Sequence, residues 1–202
     1  MLRIFLLLVL FFSSSYCDIK KDILIYKQNI KDGNTDVIFD LAMLYFKNNN
    51  RKEAIKYFKL ASLYGDKKAK YNLATIYGQK RYSTHNFKKA FKLYQELADE
   101  NYPKAQYKVA IYLIYGLGVD KDYKKAVRYF EYSFFKNNYK PAACGLALMY
   151  ASGKGLFPNM GRARELAQNG YEKEIPLCVR VYDDFNLQKY DKDKGFKYGF
   201  YR

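Results

Sequence analysis

The chain repeats itself about every 36 residues, and this periodicity constrains the fold more than any other feature of the sequence. Shifting the sequence against itself by 36 or 37 residues aligns three ladders of similar side chains in one register. The ladders are Ala54, Ala90, Ala126 and Ala163; Ala69, Ala105 and Ala142, followed by Leu73-Ala74, Val109-Ala110 and Leu146-Ala147; and Tyr57-Phe58, Leu93-Tyr94 and Tyr129-Phe130. A unit this short cannot bury its apolar face alone, so several units have to stack on one another.

The spacing inside each unit predicts two helices. Each unit contains two stripes of mostly apolar residues at helical spacing. In one unit the first stripe is Ala105, Val109, Ala110 and Leu113, the second is Ala126, Tyr129, Phe130 and Ser133, and a break that contains glycine separates them. The chain is therefore predicted to be all-α and built of helix pairs. A one-residue slip before Ala142 coincides with Asn137-Asn138, which predicts that the extra residue lies in a turn.

Paired glycines between the two helices give the repeat a family resemblance. Gly116-Leu117-Gly118-Val119 and Gly153-Lys154-Gly155-Leu156 occupy the connections, where glycine suits a positive φ. With the preceding Ala-x3-Val/Leu-Ala motif, they resemble Sel1-like repeats, relatives of tetratricopeptide repeats, over about residues 36–172. The unit from Ala69 has Lys80-Arg81-Tyr82 in place of the glycines, and the first unit has a connection four residues shorter.

The resemblance implies an architecture and a role. It implies a right-handed α/α superhelical solenoid of about four helix pairs with terminal capping helices, acting as a scaffold that binds proteins or peptides. We therefore divide the chain into residues 1–17, 18–35 (an N-terminal capping helix), 36–172 (the solenoid) and 173–202 (a C-terminal capping helix with an aromatic and basic tail).

The N-terminal segment resembles a secretory signal peptide. After Arg3 come nine apolar residues, Ile4 to Phe12, and then a serine-rich stretch. Nine residues fall short of the about 20 that a membrane-spanning helix needs. We expect a periplasmic or secreted protein that is not an integral membrane protein after processing. Cleavage after Ser15, cleavage after Cys17 and a retained anchor all remain open.

Composition argues against common catalytic and metal chemistry. The chain has one histidine, His85, and three cysteines without a C-x-x-C pair, whereas zinc sites and activated nucleophiles usually draw on several such groups. Ser83 and Thr84 adjoin His85, but no carboxylate stands at a spacing that would orient the imidazole. We expect no catalytic residue, no metal site and no cofactor.

Cys144 and Cys178 lie 34 residues apart, close to one repeat. This spacing places them at similar positions on successive first helices, about 10 Å apart, against a limit of about 7 Å for bridged Cα atoms. The expectation favours two separate buried thiols, although export would permit a disulfide.

The repeat register also identifies candidate binding residues. Phe39, Tyr71, Tyr107 and Cys144 share one position, where the recurring aromatic favours packing. By resemblance to tetratricopeptide repeats, other positions on the first helices face a concave groove. These protein-binding candidates are Met43, Phe46, Lys47, Thr75, Ile111, Ile114, Tyr115 and Leu148. Such an apolar groove suits a partner helix or an extended peptide, unless a terminal segment of the chain folds back over it.

The C-terminal segment is rich in aromatic residues. Tyr182 and Phe185 fit a capping helix, whereas the sequence from Lys189 onward has no sustained helical stripe. We expect this stretch to anchor a partner rather than to belong to the fold. The candidate tail anchors are Phe196, Tyr198, Phe200 and Tyr201.

These expectations combine into a function. We expect an exported, non-enzymatic scaffold that binds protein partners in the bacterial cell envelope; family precedent suggests a large assembly such as a flagellar motor or secretion apparatus. The alternative is a binder or hydrolase of peptidoglycan-derived fragments. The formal net charge of +16 would attract anionic envelope polymers, or it reflects coding bias. Export argues against a nucleic-acid partner.

Overall fold

The computed structural model describes residues 19–192, and every regular element in that range is helical. The signal peptide expected at residues 1–17 and the tail anchors expected at Phe196, Tyr198, Phe200 and Tyr201 lie outside the described residues. The helices are α1 (19–31), α2 (Ile38–Lys47), α3 (Arg51–Leu63), α4 (Lys67–Tyr77), α5 (Phe87–Asp99), α6 (Pro103–Tyr115), α7 (Tyr123–Glu131), α8 (Lys140–Ser152), α9 (Met160–Glu172) and α10 (Pro176–Asp184). Within residues 19–192, no helix has the length and apolar character to cross a bilayer.

The chain forms two compact units that divide between Ile76 and Tyr77. In the first unit, α2 packs on α3. In the second, successive helices from α5 to α10 pack on one another, and α8 also contacts α6 and α10. The expected helix pairs α2–α3, α6–α7 and α8–α9 are therefore present, and the all-α prediction is confirmed.

The alanine ladders form the interior of both units. Ala54, Ala90, Ala126 and Ala163 are fully buried on the second helix of each pair. The two ladders on the first helices, Ala69, Ala105 and Ala142 and then Ala74, Ala110 and Ala147, are fully buried as well. A methyl side chain lets neighbouring helices approach closely at these positions, which explains why the same residue type recurs.

A second periodic feature, at the starts of the second helices, was not predicted. Each of these helices begins at a polar cap whose side-chain oxygen accepts a hydrogen bond from the backbone N–H three residues later. The caps are Asn50, Asn86, Asp122 and Asn159, spaced by 36, 36 and 37 residues. Such caps satisfy backbone donors that have no partner within the helix.

The second helices also end at a periodic position. The residue that closes each of these helices adopts a left-handed backbone with φ between 52° and 85°. These residues are Gly65, Asn101, Asn138 and Glu174. Glycine and asparagine tolerate this conformation, but a glutamate adopts it only at a cost in free energy.

The extra residue of the third unit lies in a π-helical turn, not in the Asn137-Asn138 turn where the sequence places it. Residues Tyr132–Lys136 form this turn directly after α7. From the ladder alanine to the left-handed residue is 12 positions for Ala126 and Asn138 but 11 in the other units. A π-turn accommodates one additional residue inside a helix, so the insertion does not need a longer loop.

Buried polar groups fix the π-turn against α6. Within the turn, Ser133 is fully buried, and its hydroxyl donates to the carbonyl of Pro103 at 2.8 Å. The Asn137 amide, just after the turn, donates to the side-chain oxygen of Gln106 at 3.0 Å. Each buried polar atom in these two contacts therefore has a hydrogen-bond partner, which keeps the cost of burial small.

The glycine connections behave as predicted. Gly116 and Gly153 end α6 and α8 with φ of 68° and 64°, and Gly118 has φ of 68°. Gly118 also packs closely on the preceding repeat, because an added Cβ would lie 2.4 Å from the backbone nitrogen of Lys88. The second glycine of the motif is therefore required by a close approach as well as by its backbone conformation.

Cys144 and Cys178 form a disulfide, so the expectation of two separate thiols is wrong. Their Cα atoms lie 4.7 Å apart. The estimate of about 10 Å applies to helix axes, whereas Cα atoms lie about 2.3 Å from the axis and can face each other at about 5 Å. Gly170 on α9 leaves room for the bridge, since a Cβ there would lie 2.2 Å from the Cys178 sulfur.

The chain after α10 remains attached to the second unit as far as Tyr190. Tyr182 is buried and stacks on Tyr171 with ring centroids 4.3 Å apart. Leu187 is fully buried in a short 3₁₀ turn, and the Arg164 guanidinium donates to the carbonyl of Tyr190. Lys189 and Tyr190, the first two residues of the stretch that is expected to anchor a partner, therefore lie against the second unit.

Candidate protein-binding surface

The candidate residues of the first unit are mostly engaged in packing. Phe46 is half-buried, its ring packs edge-on against Phe58, and the Arg51 guanidinium lies 4.1 Å from its centroid. Met43 is half-buried and its sulfur accepts a hydrogen bond from the Asn72 amide at 3.5 Å.

The other two candidates of this unit lie near helix ends. Lys47 is exposed at the last position of α2. Thr75 on α4 is half-buried, and its hydroxyl donates to the carbonyl of Tyr71 at 2.9 Å. The unit therefore offers one free basic side chain and little apolar surface among the four candidates.

The candidates of the second unit lie on α6 and α8, which contact each other. Ile111 and Leu148 are half-buried at equivalent repeat positions on these adjacent helices. Tyr115 is 52% exposed, whereas Ile114 is only 7% exposed and belongs to the packed interior. The second unit therefore offers three of its four candidates to a partner.

Lysines continue the α6 stripe that carries Ile111 and Tyr115. Lys104 and Lys108 precede Ile111 at helical spacing, in an i, i+4, i+7, i+11 series that ends at Tyr115. The sequence reading missed both lysines, although this spacing was the signal that could have found them. We call the set Lys104, Lys108, Ile111, Tyr115, Leu148 and Ser152 the α6–α8 surface.

Lys108 places a partly buried positive charge on the α6–α8 surface. It is half-buried on α6, and burial lowers the pKa of its ammonium below the usual value, because removal from water disfavours the charge. Among residues 19–192 it forms no ion pair. An anionic group placed beside Lys108 would recover part of this desolvation cost.

Tyr107, by contrast, is a packing residue, as its recurring aromatic position predicts. Its ring packs edge-on against Tyr139 at 5.7 Å and tilted against Phe130 at 5.8 Å. Burial, with smaller contributions from Tyr139 and Tyr115, raises the pKa of Tyr107 to about 12. The neutral phenol is therefore the stable form, and the residue supports α6 rather than a partner.

The residues around His85 show no catalytic arrangement. Ser83, Thr84 and His85 are exposed in the connection between α4 and α5. The imidazole lies 3.2 Å from the carbonyl of Tyr82 and edge-on to Phe87. In the described part of the chain, no group of three or more His, Cys, Asp or Glu side chains is placed to hold a metal ion.

Comparison with known proteins assigns the repeat. A family model described as Sel1 repeat matches residues 38–66, 67–102, 103–133 and 140–173. The chain belongs to the Sel1 repeat family. These four segments correspond to α2–α3, α4–α5, α6–α7 and α8–α9. Sel1 repeats generally serve as non-catalytic modules for protein–protein interaction.

Solved Sel1 proteins share this fold. The chain superposes on a protective antigen of uropathogenic Escherichia coli strains that displays an SLR fold, with a TM-score of 0.70, 22% identity, and coverage of 82% of this chain and 36% of that chain. It also superposes on a Sel1 repeat protein from Oxalobacter formigenes, with a TM-score of 0.63, 25% identity, and coverage of 74% and 63%.

A curated relative matches a shorter segment. Chitin synthase regulatory factor 2 of Schizosaccharomyces pombe is 41% identical over 70 residues, which are 34% of this chain and 14% of that protein. The chain thus spans less than two thirds of this relative and of both solved proteins.

Proposed function

We propose that this Sel1 repeat protein is an exported scaffold that binds an acidic, amphipathic helix of a partner protein on the α6–α8 surface. One observation carries the proposal: half-exposed apolar side chains, Ile111 and Leu148, lie on adjacent helices and are flanked by a half-buried lysine without an ion pair within residues 19–192. The apolar face of a partner helix would pack on Ile111 and Leu148, and acidic side chains along its edge would pair with Lys104 and Lys108.

Two further observations support the two parts of the proposal. The Cys144–Cys178 disulfide supports export, because disulfides persist in oxidising compartments. A binding role also agrees with the regulatory role in the name of the fission yeast relative. Membership of a large envelope assembly, such as a flagellar motor or secretion apparatus, and action on peptidoglycan-derived fragments remain predictions from the sequence.

Site-specific photo-crosslinking in the native cell tests the binding surface. A photoreactive residue at Ile111 should capture a partner, and one at Asn169, exposed on α9, should not. The acidic helix of that partner, made as a peptide, should then bind the purified chain. We expect Leu148→Asp and Lys108→Gln to weaken this binding at least tenfold, and Lys173→Gln, an exposed control, to leave it unchanged.

Two outcomes would contradict the proposal. Crosslinks from Ile111 only to the terminal segments of the same chain would show that the protein covers its own surface. Equal capture at Ile111 and Asn169 would show that the surface has no selectivity. Cell fractionation with N-terminal sequencing separately tests export, and a cytoplasmic chain that retains Met1 to Cys17 would disprove it.

A further inference from the structure

Six exposed lysines of the second unit form a row along the starts of α5 and α7. The row consists of Lys88 and Lys89, Lys124 and Lys125, and Lys121 and Lys154 in the two glycine connections. It involves none of the residues of the α6–α8 surface, so it concerns a different activity.

Two close backbone approaches bring these lysines together. A Cβ on Gly118 would lie 2.4 Å from the nitrogen of Lys88, and one on Gly155 would lie 2.6 Å from the carbonyl oxygen of Tyr123. The connection that holds Lys121 is therefore seated on the start of α5, and the connection that holds Lys154 is seated on the start of α7. The Lys154 ammonium accordingly lies 5.6 Å from the ring of Tyr123.

Two carboxylates lie close to the row of six lysines and offset only part of its positive charge. Lys121, Lys124 and Lys125 line a shallow cavity of about 520 Å³ that also holds Asp120 and Asp122. The Asp122 carboxylate accepts the backbone N–H of Lys125 at 2.8 Å as the cap of α7. Within residues 19–192, none of the six lysines forms an ion pair with a carboxylate. The row therefore presents a strong local positive charge to solvent.

Apart from the contacts of Lys89 with the Tyr77 ring and of Lys154 with the Tyr123 ring, the fold gains little from these charges. Lys88 and Lys89 occupy the first turn of α5, and Lys124 and Lys125 occupy the first turn of α7, with no acidic residue in either turn. The start of a helix carries a partial positive charge, so cations there are unfavourable for the helix. The lysines are more readily explained by an external anion than by stability.

An exposed aromatic side chain lies in the same connection as Lys154. Phe157 is 93% exposed, the largest exposure among the large apolar side chains of residues 77–192. It follows Gly155 by two residues, so its Cα lies within about 7 Å of a backbone that is seated on α7. A fully hydrated phenyl ring next to lysines matches the boundary between lipid headgroups and acyl chains.

We propose that this face docks on an anionic phospholipid membrane surface. The six lysines attract the negative headgroups, and Phe157 inserts at the interface between headgroups and acyl chains. The exposed ring favours a membrane over a hydrophilic anionic polymer, because a polymer would satisfy the lysines but would leave Phe157 in water.

A vesicle-binding assay tests the proposal. The protein is expressed from the full sequence and used in the form to which the expression host processes it. We expect the protein to bind vesicles of phosphatidylglycerol and phosphatidylcholine, to bind pure phosphatidylcholine much more weakly, and to dissociate as salt is raised. The combined change Lys88→Gln, Lys124→Gln and Lys154→Gln should weaken binding on the order of a hundredfold. A matched change at the exposed Lys136, Lys173 and Lys189, which belong to neither proposed surface, should weaken it less than threefold.

Phe157 distinguishes a membrane from other anions. Phe157→Ser should weaken vesicle binding at least fivefold without a change in charge, and Phe157→Leu should restore most of it. Equal effects of the two lysine triples would overturn the proposal in favour of unspecific attraction by net charge. Binding of a soluble polyglycerol phosphate that is insensitive to Phe157→Ser, without vesicle binding, would overturn it in favour of a polymer.

Discussion

Gly145 on α8 lies directly against the ring of Phe130 on α7: a Cβ at position 145 would be 2.3 Å from the nearest ring carbon. Phe130 is fully buried, and its other neighbours include the ring of Tyr107 at 5.8 Å. The ring is therefore enclosed, and a methyl group at position 145 would have to displace it. A glycine in the middle of a helix, unfavourable by propensity, is explained by this contact.

We expect Gly145→Ala to destabilise the protein by about 1–2 kcal/mol, although alanine is the better helix former. Chemical denaturation measures the change in the free energy of unfolding. Replacing Phe130 by leucine makes room, so Gly145→Ala should cost less in a Phe130→Leu background. A gain in stability in the wild-type background would show that the ring can move aside.

Substitutions in the first glycine connection should differ in severity. Gly118→Val should cost more than Gly116→Val, because its Cβ would meet the backbone of Phe87 and Lys88, whereas that of Gly116 meets the Lys121 side chain at 3.2 Å. Both changes should cost at least about 1 kcal/mol because both glycines have positive φ. Gln79→Val serves as the control with little effect. Equal melting shifts at all three positions would contradict this account.

Glu174 offers a stabilising substitution. It adopts φ of 54° at the position where the other units have Gly65, Asn101 or Asn138. Glu174→Gly should therefore stabilise the protein by about 0.5–1 kcal/mol, because glycine adopts this conformation without steric cost. Asn101→Ala should destabilise the protein, because alanine tolerates the left-handed conformation of this position less well than asparagine does. Thermal melting of both variants checks the pair, and shifts of the same sign would refute the explanation.

The disulfide should contribute strongly to stability. Closing the loop from Cys144 to Cys178 reduces the entropy of the unfolded chain, which corresponds to about 3–4 kcal/mol for a loop of this length. The double change Cys144→Ala and Cys178→Ala should lower Tm by roughly 6–16 °C. A reductant should lower the Tm of the wild type and leave that of the double variant unchanged; alkylation of both thiols in the native, unreduced protein would show that the bridge is absent.

Lys108 predicts a pH dependence. Its folded pKa is lowered from 10.5 by burial, so between the two values the unfolded chain binds more protons and stability rises with pH. Lys108→Met should therefore raise Tm at pH 7, and this gain should shrink as the pH rises through the lowered pKa toward 10.5. Parallel unfolding curves of Lys104→Met, at an exposed position of the same helix, are the control for removal of a lysine that is not buried, and an equal gain in both variants would contradict the explanation.

The repeat pattern in the sequence predicted local backbone conformation and packing positions correctly. It did not predict features that depend on distances between atoms of different helices. Ala126 and Gly118 were recognised because periodic identity reports packing and backbone conformation directly. The capping role of Asn86 and Asp122 was missed, although their period is the same, because asparagine and aspartate do not stand out among polar residues. The spacing of Cys144 and Cys178 predicts only the separation of two helix axes, whereas the bridge depends on the two Cα atoms facing each other at 4.7 Å. The lowered pKa of Lys108 depends on burial, which one sequence does not reveal.

The disulfide between α8 and α10 also determines at which end the stack of helices can begin to unfold. In a stacked array a terminal element frays first, because it contacts a neighbour on one side only. Here α10 is covalently tied to α8, and α9 lies inside the closed loop. A pulling force on the C-terminal segment would extend only the residues beyond Cys178 before it loaded α8 through the bond. Progressive loss of structure among the helices should therefore begin with those that precede α8, and the closed loop from Cys144 to Cys178 should be the last part to open.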